Sequence, residues 1–190
     1  GGLMWFVLLG AWFAGEYLVR GATDPAGVTA LVTLTALVAG GASVAAGFLR
    51  LRPAGPLFQI FAFAAIASMP GQPSLSEGMF TATAVIIFAL VLGQLGRIAP
   101  LRRTPWQVVP TPVIPASAKR AIWLESAAFL VASGLAGAAA ALLAGPLHIG
   151  HTYWAMVAAV VPLAGRSTRM RMIRAVHRIL GTAAGLVVMT

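Results

Sequence analysis

The sequence predicts an all-α membrane protein, built as a polytopic bundle of about seven transmembrane helices. Three observations carry this prediction. Hydrophobic residues make up 59% of the chain, and charged residues only 9%, whereas about a quarter of the residues in a soluble domain are charged. The apolar residues fall in long runs, and the basic residues sit in the short loops between them. Within lipid, a run of this kind satisfies its backbone groups by forming a helix.

Seven apolar runs are candidate helices. They cover residues 3–20, 27–49, 55–69, 79–96, 121–146, 151–165 and 175–190. A bilayer core needs about 20 residues of helix, and the third and sixth runs are shorter than that. A short run can be re-entrant instead of crossing, so length alone does not settle the topology.

The basic residues favour seven crossings. If every run crosses, Arg20 lies on one side, and the other twelve of the 13 Lys and Arg residues lie on the opposite side. Positively charged loops stay in the cytoplasm, so the chain is predicted to begin there. If the third run were re-entrant, ten basic residues would be placed on the side opposite Arg50 and Arg52, against the same rule.

Composition also argues against several function classes. The net charge of +9 does not indicate nucleic acid, because loop arginines orient a membrane protein. The chain has no cysteine, which excludes thiolate metal sites and disulfides. No catalytic motif is visible, so no enzyme, cofactor or metal is predicted. The chain opens at Gly1 and stops at Thr190 inside apolar sequence, and we interpret it as a piece of a longer protein.

A proline-rich segment at residues 98–118 divides the runs into four before it and three after it. It holds five of the twelve prolines, together with Arg102 and Arg103. Proline at this density favours an extended linker over a helix. The predicted organisation is a membrane unit at 1–97, a cytoplasmic linker at 98–118 and a second membrane unit at 119–190.

The C-terminal residues carry the most specific pattern. Tyr153 and Trp154 open the sixth run, and Arg178 opens the seventh in the sequence Arg-Ile-Leu-Gly-Thr. Between them lies a predicted basic loop with Arg166, Arg169, Arg171 and Arg174. From about Ser117 onward, this pattern resembles the fusaric acid resistance family of bacterial inner-membrane proteins. That family includes aromatic acid exporters and shares the motif with the plant aluminium-activated malate transporter family.

The resemblance implies an exporter of aromatic carboxylic acids in the bacterial inner membrane, or a passive anion channel like the plant relatives. It also implies two six-helix repeats. With this repeat organisation, residues 1–97 would be the last four helices of one repeat, and residues 119–190 the first three helices of the next. A non-transporting envelope scaffold remains the third alternative. The expected partners are a small organic anion and membrane lipids, and a homodimer is compatible with this interpretation.

Arg178 and Arg174 are the predicted anion contacts, with Thr182 one turn further along. An arginine fork donates two parallel hydrogen bonds to a carboxylate. The alternative is that these arginines, together with Arg171, anchor the helix at the lipid headgroups. Tyr153 and Trp154 either shape the permeation path, as the resemblance implies, or belong to an aromatic belt at the headgroup level.

His177 and Glu125 are the candidates for proton coupling. Histidine titrates near neutral pH, although a histidine at a helix end is more often an interfacial residue. Glu125 lies about one turn inside the fifth run, where a carboxylate is costly. Its alternative role is to pair with a loop arginine. His148 and His151 are interpreted as loop residues and not as metal ligands.

Two further features concern packing in the last two runs. Gly181 and Gly185 form a small-xxx-small pair, which predicts close approach of another helix. Pro162 interrupts the sixth run, frees a backbone carbonyl and allows a kink in that helix.

Overall fold

The computed structural model describes residues 2–20, 24–50, 56–71, 73–98, 114–147, 153–164 and 168–189. These residues form seven α-helices: α1 Gly2–Ala14, α2 Pro25–Phe48, α3 Leu57–Ala67, α4 Leu75–Ile98, α5 Ala116–Leu147, α6 Tyr153–Val160 and α7 Thr168–Met189. A π-helical turn at Gly15–Val19 extends α1, and a 3-10 turn at Pro162–Ala164 follows α6. No strand occurs within these ranges, and the all-α prediction is confirmed.

Four helices among the described residues are long and apolar enough to cross a membrane. Their spans are Gly2–Val19, Pro25–Phe48, Leu75–Leu95 and Ala116–Ala144. α3 has 11 residues and α6 has 8, fewer than the roughly 20 that a bilayer core requires. α7 has 22 residues, but arginines occupy its first half. A multi-pass membrane protein is therefore confirmed, while seven crossings and six-helix repeats stay predictions.

Two predicted helix starts are wrong by several residues. α5 begins at Ala116, where the N–H of Lys119 donates to the carbonyl of Pro115 at 3.0 Å. α7 begins at Thr168, so Arg169, Arg171 and Arg174 are helical and do not lie in a loop. Both predictions started the helix only after its basic residues. Lys and Arg are good helix formers, however, and can occupy its first turns. Residue 98 and residues 116–118 of the predicted linker are helical, and its residues 99–113 lie outside the described part of the chain.

Acidic side chains cap two helices. Asp24 accepts a hydrogen bond from the N–H of Gly27 at 2.6 Å, and Pro25 follows it at the start of α2. Before α4, the N–H of Ser74 donates to Glu77 Oε2 at 3.3 Å, and Ser74 Oγ accepts from the N–H of Glu77 at 3.3 Å. This reciprocal arrangement is a capping box. Asp24 and Glu77 therefore fix the starts of α2 and α4.

α2 and α5 form the central antiparallel pair. Gly40 lies against Leu130, and Gly47 lies against Ile122. From the first contact to the second, the residue number rises on α2 and falls on α5, so the two helices are antiparallel. A Cβ added at Gly47 would lie only 2.7 Å from Ile122 Cγ2. Glycine therefore allows the two helices to approach closely.

Two apolar clusters complete the core around this pair. The first joins α1, α2 and α3, and it includes Val7, Ala11, Leu31, Phe63 and Ala67. The second joins α2, α3, α5 and α6, and it consists of Ala39, Ile60, Phe129, Val157 and Val160. By contrast, none of the Leu75–Leu95 span of α4 is buried. The packed body is therefore built from α1, α2, α3, α5 and α6, with α4 at its margin.

The contacts at the start of α5 gather basic residues at one end of the bundle. Phe48, the last residue of α2, lies beside Trp123 with ring centroids 6.4 Å apart. Glu125 pairs with Arg171, near the start of α7. This end carries Arg50, Lys119, Arg120 and Arg169, whereas Arg20 and Asp24 lie at the opposite end of α2. The distribution is compatible with the predicted orientation.

Candidate functional site

α7 is the most amphipathic α-helix in the described part of the chain. Arg171, Arg174 and Arg178 are three and four residues apart and therefore share one face, as the spacing predicted. The opposite face carries Met172, Val176 and Leu180. Arg174 and Arg178 are exposed. We call Arg171, Arg174 and Arg178 the basic face of α7.

Glu125 forms an ion pair with Arg171, the first arginine of the basic face. Arg171 Nη2 lies 3.4 Å from Glu125 Oε1, and the side chains are 35% and 48% exposed, respectively. An exposed pair of this kind contributes about 0–1 kcal/mol to stability. Its main consequence is geometric, because it joins the beginnings of α5 and α7 across 46 positions. The structure thus favours the alternative in which Glu125 pairs with an arginine.

His177 bonds to its own helix. Its Nδ1 lies 2.8 Å from the carbonyl oxygen of Ile173. In the tautomer with the proton on Nδ1, the ring donates to this carbonyl and Nε2 becomes the acceptor. His177 is exposed, but it is rotated about 100° around the helix from its neighbour Arg178. The imidazole therefore lies at the edge of the basic face.

Tyr153 and Trp154 belong to an aromatic group at the start of α6. Their rings stack with centroids 5.4 Å apart, and Trp154 also lies 5.5 Å from the ring of Phe61 on α3. Tyr153 is partly buried and packs against the cluster of α1, α2 and α3, whereas Trp154 is 48% exposed. Tyr153 thus attaches α6 to the core, and Trp154 remains accessible.

Most of the predicted site residues lie on two consecutive helices, α6 and α7. α6 and the following 3-10 turn lie between Tyr153 and the start of α7. At 1.5 Å per residue, these elements span roughly 17 Å. Tyr153 and the start of α7 therefore lie at opposite ends of this segment. Thr182 is part of α7, but its side chain lies outside the described residues.

The prediction that Gly181 packs against another helix is wrong for the described residues. A Cβ added at Gly181 would meet none of their atoms within 4 Å. Small-xxx-small spacing permits close approach but does not supply the partner helix. The glycines that do meet a neighbouring helix closely, Gly40, Gly47 and Gly137, lie on α2 and α5. The surroundings of Gly185 are not described. At Pro162 the α-helix is interrupted: α6 ends at Val160, and a 3-10 turn at Pro162–Ala164 follows it.

Sequence reasoning missed an apolar groove between α1 and α4. Its volume is about 450 Å³, and Met4, Leu8, Trp12, Ala82 and Val85 are among its lining residues. Trp12 Nε1 donates to the carbonyl of Pro73 at 2.9 Å and ties α1 to the start of α4. The ionisable side chain among the described lining residues is the acid Glu77. The groove therefore does not suit a carboxylate.

Fold and charge distribution together define a multi-pass helical membrane protein with an exposed basic face on its C-terminal helix. Residues 135–190 match the protein family described as "Fusaric acid resistance protein-like". The match confirms the predicted resemblance over this C-terminal region, which contains Tyr153, Trp154, Arg174, Arg178 and Thr182. It starts at residue 135, later than the predicted Ser117. No curated protein and no solved structure matches the chain. The apolar helices and the match over residues 135–190 characterise a multi-pass membrane protein whose C-terminal region is similar to this family.

Proposed function

We propose that the protein exports organic acids, in particular aromatic carboxylic acids, across the bacterial inner membrane. The observation that carries the proposal is the basic face of α7. Arg174 and Arg178 are exposed on it, inside the region that matches the family. A cation path is lined by acids, whereas arginines suit an anion path.

The position of Arg178 along α7 supports an anion contact. Arg178 lies ten residues after Thr168, which corresponds to about 15 Å of helix. Of the arginines on α7, Arg178 lies farthest along the helix toward its apolar half. A guanidinium below the headgroups costs several kcal/mol against hydrocarbon, so it needs water, protein or an anion beside it. A carboxylate substrate provides two acceptors that match the arginine fork.

The other candidate residues take supporting roles in the proposal. Trp154 presents an accessible ring at the far end of α6, where an aromatic substrate can stack. Glu125 is paired with Arg171, which leaves His177 as the better candidate for proton coupling. The basic end of the bundle is assigned to the cytoplasm on the positive-inside rule.

Orientation is tested by cysteine labelling, because the chain has no cysteine of its own. A cysteine at Gly71 or Leu147 is expected to react with a membrane-impermeant thiol reagent in intact cells. One at Thr104 or Ser167 is expected to react only after permeabilisation. Labelling of Thr104→Cys in intact cells contradicts the proposed orientation.

Transport itself is tested in liposomes that contain the purified protein and a radiolabelled aromatic carboxylate. A transmembrane proton gradient is expected to drive accumulation of the acid, and a proton carrier that collapses the gradient is expected to abolish that accumulation. Downhill flux that persists without the gradient, and no accumulation with it, identifies a passive anion channel. Absence of any flux, with correctly folded protein, overturns the transport proposal and favours a scaffold.

A further inference from the structure

The interface between α2 and α5 is built from two matching stripes of residues. Each stripe has spacings of four, four, three and four. On α2 it contains Val32, Ala36, Gly40, Ser43 and Gly47. On α5 it contains Ile122, Ser126, Leu130, Ser133 and Gly137. The contacts made at Gly40, Gly47 and Gly137 show that the stripes face one another.

The register of these stripes brings serine residues to the interface from both helices. Ser43 lies between Gly40 and Gly47, and Ser126 lies between their respective neighbours Leu130 and Ile122. Ser43 and Ser126 are therefore at the same level of the antiparallel pair. Ser133 lies one helical turn before Gly137, and Gly137 faces Val32 on α2. Thr35 precedes Ala36 on α2 and points about 100° around the helix from the stripe, on the side of Leu31 and Ala39.

Three hydroxyls in this region are buried without a protein partner. Thr35 and Ser133 are 0% exposed, and Ser126 is 3% exposed. Among the described residues, their hydroxyl oxygens have no hydrogen-bond partner. A buried polar group in this condition is costly, above all inside a membrane protein. The hydroxyls therefore require a partner that the surrounding side chains do not supply.

Other threonines show what the usual solution is. Thr29 Oγ1 donates to the carbonyl of Pro25 at 2.8 Å, and Thr81 Oγ1 donates to that of Glu77 at 2.8 Å. Back-bonding of this kind is the common way for a helical hydroxyl to satisfy itself. Thr35, Ser126 and Ser133 do not adopt it, although they lie within helices. Their hydroxyls remain available to a ligand between the helices.

We propose that the α2–α5 interface binds water, which serves as the hydrogen-bond partner of Ser126 and Ser133. Water both donates and accepts, so a single molecule can bridge hydroxyls on facing helices. Gln59 on α3 has a further buried oxygen without a partner among the described residues. The bundle thus contains a hydrated polar seam, separate from the basic face of α7. The inference stands independently of the proposed transport.

The seam is tested with water itself as the probe. Ser126→Cys and Ser133→Cys are nearly isosteric and introduce the chain's only thiol. In D₂O, infrared spectroscopy follows the exchange of S–H for S–D in the membrane-embedded protein. We expect exchange at both positions to be at least about tenfold faster than in Ala11→Cys, since proton exchange at a thiol requires contact with water. Ala11 is the matched control, because it is 0% exposed within an apolar cluster.

Exchange at Ser126→Cys and Ser133→Cys as slow as at Ala11→Cys overturns the proposal and leaves a dry packing interface. Equally fast exchange at all three positions also overturns it, because general opening of the bundle then explains the result. If a cysteine variant fails to fold, solid-state NMR of the unmodified protein measures magnetisation transfer from water to the same serines. Transfer to Ser126 and Ser133 that is no stronger than to Ala11 has the same negative meaning.

Discussion

Replacing Gly47 with leucine is expected to remove most of the folded protein, and Gly137→Leu is expected to act in the same direction. A Cβ at Gly47 would lie 2.7 Å from Ile122 Cγ2 and 2.9 Å from its Cγ1. Both atoms are close to the backbone of α5, so the side chain cannot turn away. At Gly137 the conflict is with Val32 Cγ1 and Met156 Sδ, each at 2.9 Å. Methionine is flexible, so this substitution is expected to be milder.

The expected cost is about 1–3 kcal/mol for an overpacked interface, and more where the helices must separate. Folded proteins have only about 5–15 kcal/mol of stability, so the loss is visible as reduced monodisperse yield in detergent and a lower Tm. Gly93→Leu and Gly181→Leu are the matched controls, because an added Cβ meets no described atom within 4 Å at either position. Leucine is a better helix former than glycine by roughly 1 kcal/mol. The controls are expected to keep the parent yield.

A lower yield for Gly181→Leu than for Gly47→Leu contradicts this assignment. Such a result means that α7 packs more tightly against a partner at Gly181 than α2 packs against α5 at Gly47. Equal yields for all four variants mean that the α2–α5 helices can separate without loss of the fold.

The sequence predicted the helices well because lipid imposes a length on apolar runs. α2, α4 and α5 were each predicted within a few residues of their observed ends, apart from the start of α5. The observed start differs because Lys119 and Arg120 indicate where the apolar run begins and not where the helix begins. The start of a helix is set by its backbone, and in α5 the first helical hydrogen bond is accepted by the carbonyl of Pro115. Charge marks the boundary of the membrane and not that of the helix.

The helix pairing was beyond prediction from one sequence. Gly47 and Gly181 are both glycines in apolar helices, and the small-residue spacing around Gly181 was the more conspicuous. Gly47 meets a partner because α5 lies antiparallel to α2, and no local pattern encodes which helix comes to lie beside which. The buried hydroxyls at the same interface were missed for this reason. Spacings of four and three in both helices were the available signal.

The basic face could be predicted in part. Spacings of three and four place Arg171, Arg174 and Arg178 together on any helix. The partner of Glu125 could not be assigned, because several arginines of the C-terminal region were equally available in the sequence. Folding selects Arg171 by bringing the start of α7 beside the start of α5. Arg171 is thereby distinguished from the two arginines that follow it.

Transport is expected to depend most on Arg178. Arg178→Ala is expected to abolish nearly all transport of an aromatic carboxylate, and Arg178→Lys is expected to weaken it, because lysine lacks the planar fork. A hydrogen bond to a charged group contributes about 1.5–3 kcal/mol, which corresponds to roughly 10-fold to 150-fold in binding. Initial rates in liposomes, at matched amounts of folded protein, measure the effect.

Arg171→Ala is the matched control from the same face of the same helix. Arg171 already contacts Glu125, lies nearer the start of α7 and fits the role of an anchor at the headgroups. Its replacement is expected to change transport mildly, in line with the small contribution of an exposed ion pair. Transport by Arg178→Ala at the parent rate, together with loss of transport in Arg171→Ala, reverses the assignment. The ion pair between α5 and α7 would then be the essential feature, and the exposed arginines would serve to hold the helix at the membrane surface.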